Sequence, residues 1–127
     1  VIDLAERLIG MAPVPMSHVF FGGSGSEATD SAVKFAWYYN HALGRPEKRK
    51  IISRIKGYHG VTVAAASLTG LPNNHRDFGL PIEGILHTDC PHYYRYRIED
   101  EDEVDFASRI AASLEKMIID ENFKMDR

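Results

Sequence analysis

The chain has 127 residues, 44% hydrophobic and 26% charged, with a net charge of −3, which excludes a disordered or fibrous chain and fits one globular domain. No long block of one sign is present, which argues against a nucleic-acid-binding arm, and no apolar run reaches the length of a membrane span. The single cysteine, Cys90, excludes an internal disulfide and fits a reducing compartment, so a cytoplasmic location is expected.

Taken in chain order, "VIDLAERLIGMAP" places Ile2, Leu4, Ala5, Leu8, Ile9 and Met11 at helical spacing and stops at Pro13. "HVFF" is rich in β-formers and predicts a buried strand. A glycine-serine loop follows, Gly22-Gly23-Ser24-Gly25-Ser26, then a long helix from about Glu27 to Leu43. Its expected buried face is Ala28, Ala32, Phe35, Ala36 and Tyr39, and Gly44 with Pro46 ends it. "KIISRI" predicts a second strand, "GVTVAAASLTG" a short buried helix, "LPNNHRDFGLPIEG" an ordered loop and "GILHTD" a third strand. "PHYYRYRIEDED" reads as a polar, aromatic connection. The last helix, in "EVDFASRIAASLEKMIIDE", carries Val104, Ala107, Ile110, Ala111, Leu114, Met117 and Ile118 on its apolar face.

Alternating helices and strands predict an α/β fold, a single unit over residues 1–127 with a mostly parallel sheet and crossover helices. Three strands make a thin sheet. The chain also opens inside an amphipathic pattern and stops without a closing element, so part of a larger domain is expected.

A strand that ends in small residues and turns into a helix makes an anion site. The first helical N–H groups lack partners, and the helix dipole adds positive charge there. Gly23 and Gly25 permit close approach, while Ser24 and Ser26 offer hydroxyls. Ser24 and Glu27 also have the spacing of a capping box, which would close the helix without a ligand. Gly23 to Ala28 fits a dinucleotide fingerprint as well. That motif wants an acidic residue about 20 positions on, whereas the next strand ends near Arg54. A nucleophile elbow fails because Ser26 stands where the last glycine belongs.

Gly57-Tyr58-His59-Gly60 directly follows the second strand, at the sheet edge where α/β proteins bind ligands. A tyrosine flanked by glycines there can stack on a flat ring, or merely pack in a turn. His87, Cys90 and His92 offer three soft ligands in a short run, but no second ligand pair at zinc spacing accompanies them, so structural use is expected. Tyr93, Tyr94, Tyr96, Arg95 and Arg97 suit a packed interface loop better than a nucleic-acid surface, given the acidic net charge.

"SGSEATDSAVKFA", "GYHGVTVAAASLTG" and "HTDCPHYY", in this order, resemble the class III aminotransferases that use pyridoxal phosphate, and the omega-transaminase branch in particular. The resemblance runs from Val1 to about Glu121. It implies part of the fold-type I large domain, pyridoxal 5'-phosphate as cofactor, and a homodimer with active sites at the subunit interface. It also implies transfer of an amino group from an amine or omega-amino acid to a 2-oxo acid such as pyruvate. Residue by residue, it assigns Gly25 and Ser26 to the cofactor phosphate and Tyr58 to the pyridine face, and Ser24, whose hydroxyl stands in the same loop, is expected to join the cofactor-binding residues. His59 is Tyr58's neighbour in the motif, and Val61 lines a small substrate pocket. None of Lys34, Lys48, Lys50, Lys56, Lys116 and Lys124 matches the family's catalytic lysine. The carboxylate that faces the pyridine nitrogen has no match either, so this stretch alone is expected to be inactive. A phosphate-binding remnant without chemistry and a dinucleotide-binding oxidoreductase domain are the alternatives.

Overall fold

A computed structural model describes residues 1–121; Lys124 lies outside the described residues. Helix α1 spans Ile2–Met11 and α2 spans Gly25–Ala42. Strand β1 (Ile51–Arg54) leads through a loop to α3 (Val63–Leu68), and β2 is Ile85–Thr88. A helical turn, α4 (Tyr93–Tyr96), precedes α5 (Glu103–Asp120). β1 and β2 pair in parallel, from Ile51 opposite Ile85 to Arg54 opposite Thr88, with α3 in the crossover between them.

Apolar burial concentrates where α3 meets its neighbours. Val33 of α2, Leu68 of α3 and Ile85 of β2 form the centre, flanked by Trp37, Ile51, Ala64 and Ile82. Burying a side chain of this size stabilises by about 1.5–3 kcal/mol. Small residues let α3 sit this deep: Ala65, Ala66, Ser67 and Leu68 are all buried. The Ser67 hydroxyl donates to Val63 O (2.7 Å) and accepts from Ile82 N–H (3.1 Å), so its burial leaves no orphan polar atom.

The loop from Gly57 to Gly70 closes on itself. Gly70 N–H donates to Gly57 O (2.8 Å), Lys56 N–H donates to Gly70 O (2.8 Å), and Ile55 bridges Gly70 in parallel. A side chain at Gly70 would run into Arg54 O.

Three expectations need correction. Residues 18–21 form no strand. They run without regular structure beside α2, with Phe20 62% exposed and packed edge-on against Phe35 at 5.6 Å. A strand needs a hydrogen-bonded neighbour, and the described residues supply none here. On α2, the inward face is Ser26, Thr29, Asp30, Val33, Trp37 and Asn40, whereas Ala28, Ala32, Phe35, Ala36 and Tyr39 are exposed. The helix turns its more polar side to α3 because α3 meets it through hydrogen bonds as well as apolar contact. On α5, Phe106 is buried while Val104 and Ala107 are exposed, since Tyr93 holds the Phe106 ring at 5.6 Å.

Among the described residues, no helix is long and apolar enough to cross a membrane.

Candidate functional site

The site is built on the start of α2. Ser24 is extended (φ −159°, ψ 164°) and caps the helix, its Oγ accepting from Glu27 N–H at 3.2 Å. The Glu27 carboxylate reaches back to Gly23 N–H at 2.6 Å. This capping box engages the amides of Gly23 and Glu27, and Ala28 N–H goes to Ser24 O. The amides of Gly25 and Ser26 have no protein acceptor among the described residues. Cap and anion site, rivals in the sequence, therefore use different atoms and are compatible.

Ser26 faces the loop that follows β1. Its Oγ accepts from Val61 N–H at 3.0 Å, which leaves the hydroxyl proton free to point elsewhere. Gly60 lies against it with φ +131°, and a Cβ there would meet Ser26 Oγ and come within 2.9 Å of Ala65 Cβ. Only glycine permits this approach. His59 is held by its backbone: its N–H donates to Thr69 Oγ1 (2.9 Å) and its carbonyl accepts from Thr29 Oγ1 (3.3 Å). Tyr58 and Val61 are 64% and 73% exposed, so both side chains remain available for contact. Val61 lines an open cavity of about 410 Å³ with Val63, Ala66, Asn74, Phe78 and Leu80.

The structure thus brings Ser26 and Val61 into direct contact, ties His59 to α2 through Thr29, and puts Tyr58 on the same loop. The sequence reading passed over Thr29, Asp30, Thr62 and Thr69, which do the tying. Asp30 shares a helical face with Ser26, Val33 and Trp37, but its partners Thr62 and Ala65 lie more than thirty positions on, and the sequence carries no pattern that links them.

The histidine and cysteine run disperses. His87 Nε2 lies 3.2 Å from Leu68 O, and its ring is 5.4 Å from that of His75, whose Nε2 lies 2.9 Å from Ala66 O. Burial, helped by the nearby His75 and His59, holds His87 below the usual histidine range. His92 packs edge-on against Tyr96, while Cys90 lines a separate small cavity. Among the described residues no three metal-ligating side chains gather. The tyrosine-arginine run folds onto α5. Arg97 covers the Tyr93 ring, and Arg109 grips the Glu101 carboxylate through Nε and Nη2 at 2.7 and 2.9 Å. Those bonds hold the Glu101 carboxyl below the usual carboxylate range.

The family model for aminotransferase class III matches residues 1–123. A probable gamma-aminobutyrate transaminase 4 of rice is 56% identical over 119 residues, 93% of this chain and 25% of the relative. A mitochondrial gamma-aminobutyrate transaminase 1 of tomato is 53% identical over 121 residues, 94% of this chain and 24% of the relative. Among solved structures, the omega transaminase from Pseudomonas jessenii in complex with PMP superposes with a TM-score of 0.91 at 61% identity. The match covers 94% of this chain and 26% of that one. The chain spans about a quarter of the length of the curated relatives it matches. These matches give no support to a dinucleotide-binding domain or to a remnant outside the enzymes. With the family model matched over nearly its whole length, this chain belongs to the class III aminotransferases.

Proposed function

We propose that these residues form the phosphate- and ring-holding part of a pyridoxal-phosphate-dependent aminotransferase. The whole protein would move an amino group from an amine or omega-amino acid to a 2-oxo acid such as pyruvate. The observation that carries this is the start of α2, where two amides without partners among the described residues and a Ser26 hydroxyl with a free proton stand beside the Tyr58 loop. A phosphate dianion attached to a flat ring fits that donor set: charge at the positive end of a long helix, and an exposed aromatic side chain one loop away.

When bound, pyridoxal phosphate supplies an electron sink for the chemistry at the substrate's amino-bearing carbon. The residues of this chain do the holding. Gly25 and Ser26 donate to the phosphate, with Ser24 keeping the helix start closed. Tyr58 packs on the ring, His59 fixes the loop through its backbone, and Val61 lines the substrate side. The lysine and the carboxylate that the reaction also needs would come from the rest of the protein. The named relatives act on, or are called after, omega-amino compounds, which supports an amine or omega-amino acid as donor. A homodimer completing each site, and a cytoplasmic location, belong to the same proposal. The mitochondrial name of the tomato relative makes cell fractionation the test of the second.

The full-length protein should bind pyridoxal phosphate with a visible absorption band and consume pyruvate when given an amine donor. Ser26→Ala and Tyr58→Ala should each weaken cofactor binding. Loss of a hydrogen bond to a charged group costs about 1.5–3 kcal/mol, which is roughly tenfold or more in the dissociation constant for Ser26. Unchanged cofactor affinity in both variants would sink the assignment.

A further inference from the structure

We propose that Asp30 is a positioning residue for the cofactor site, a carboxylate that locks the Tyr58 loop to the phosphate-binding end of α2. It lies one turn beyond Ser26 on the inward face of α2 and is half-buried there. Its Oδ1 accepts two hydrogen bonds from the far side of the loop, from Thr62 Oγ1 at 2.7 Å and from Ala65 N–H at 2.8 Å. Thr62 is the N-cap of α3, yet its own side chain makes no cap bond; Asp30 takes the place of that cap from another helix. The Thr62 hydroxyl also approaches Ser26 O at 3.2 Å. One carboxylate oxygen therefore joins the second turn of α2 to the first turn of α3, and the loop bearing Tyr58 and Val61 hangs from α3.

The consequence reaches the donors. Ser26 Oγ has its lone pair engaged by Val61 N–H, and that bond decides where the hydroxyl proton points. Val61 stays in register with Ser26 because Thr62, the next residue, is held by Asp30. Without the carboxylate, Ala65 N–H loses its acceptor and Thr62 is free to turn. Val61 N–H can then leave Ser26, and the hydroxyl loses its fixed direction. Asp30 touches neither phosphate nor ring; it acts through Ser26, Thr62 and Val61.

The inference rests on the cofactor reading above, so the test starts with the unsubstituted full-length protein. Absence of any pyridoxal phosphate band there would overturn that reading and this inference with it. Given binding, Asp30→Ala is expected to raise the cofactor dissociation constant about tenfold, to shift the position or circular dichroism of the visible band, and to speed hydrogen exchange at the Ala65 and Val61 amides. Asp30→Asn keeps an acceptor oxygen and should restore most of the affinity and the band. Thr62→Val removes one of the two bonds and should give the same spectral change more weakly, which keeps the test open if Asp30→Ala does not fold. A folded Asp30→Ala or Thr62→Val protein with unaltered cofactor affinity and band would overturn the positioning role while leaving the cofactor reading intact.

Discussion

The segments from Gly57 to Gly70 and from Val1 to Gly22 are both rich in apolar residues, and the chain treats them oppositely. In the first, every residue from Ala65 to Gly70 is buried, and hydroxyls of Thr62, Ser67 and Thr69 bind backbone or carboxylate partners. In the second, Ile2, Leu4, Met11, Val14 and Phe20 are all more than half exposed. The difference does not lie in hydrophobicity. The first segment carries small residues and hydroxyls that let backbone meet backbone, so it completes its contacts within reach of β1 and α2. The second presents large side chains that stay mostly uncovered among the described residues, even where Phe20 meets Phe35 edge-on. α2 shows the same contrast across its own width: Val33 is 5% exposed, and Phe35, two residues on, is 55% exposed.

The comparison can be broken first at Gly60. Gly60→Ala puts a side chain into Ser26 Oγ and Ala65 at a backbone angle that disfavours it. Strain and overpacking together should cost about 3 kcal/mol, read as a lowered denaturation midpoint of the full-length protein. Val33→Ala should cost about 2 kcal/mol in any context, because its cavity opens in the centre of the packed cluster. Phe35→Ala sharpens the contrast. In the 127-residue chain it should change stability by under about 0.5 kcal/mol, and a larger loss would mean that this face is already covered. Ser24→Ala should cost about 1 kcal/mol by removing the cap.

The smallest effect is a pH dependence centred on His87. Its proton affinity is lower folded than unfolded, so the unfolded chain binds more protons as pH falls below the ordinary value of 6.5. Stability is full above that pH and is lost as pH falls toward the depressed folded value. His87→Gln should flatten that part of the stability profile.

Much of this was legible in the sequence. The order of elements, the parallel pairing of "KIISRI" with "GILHTD", and the buried helix between them follow from period and composition. The glycine-serine loop announced its helix start and its cap, and that cap leaves the amides of Gly25 and Ser26 unengaged among the described residues. The buried side of α2 was not legible. Alanines and aromatic rings suggest a core-facing stripe, but the face that is covered depends on which neighbour arrives, and α3 arrives with hydrogen-bond donors. Asp30 escaped notice for a related reason. A carboxylate in a helical pattern reads as solvent-facing, and its partners lie at Thr62 and Ala65, far along the chain. The extended segment at His18 to Phe21 failed as a strand because pairing is a property of two segments, and one segment's composition cannot supply it.

The closure of the loop at Gly57 and Gly70 has an evolutionary side. Both ends are clamped by main-chain bonds, which constrain the two glycines themselves, since a side chain at Gly70 would meet Arg54 O, but not the side chains between them. Two exposed positions between the clamps, Val61 and Val63, can therefore change side chain without disturbing the sheet, and both line the cavity. Such an arrangement separates what must be kept from what can vary. Under the function proposed above, this makes Val61 and Val63 the natural places to diversify in a search for altered substrate preference.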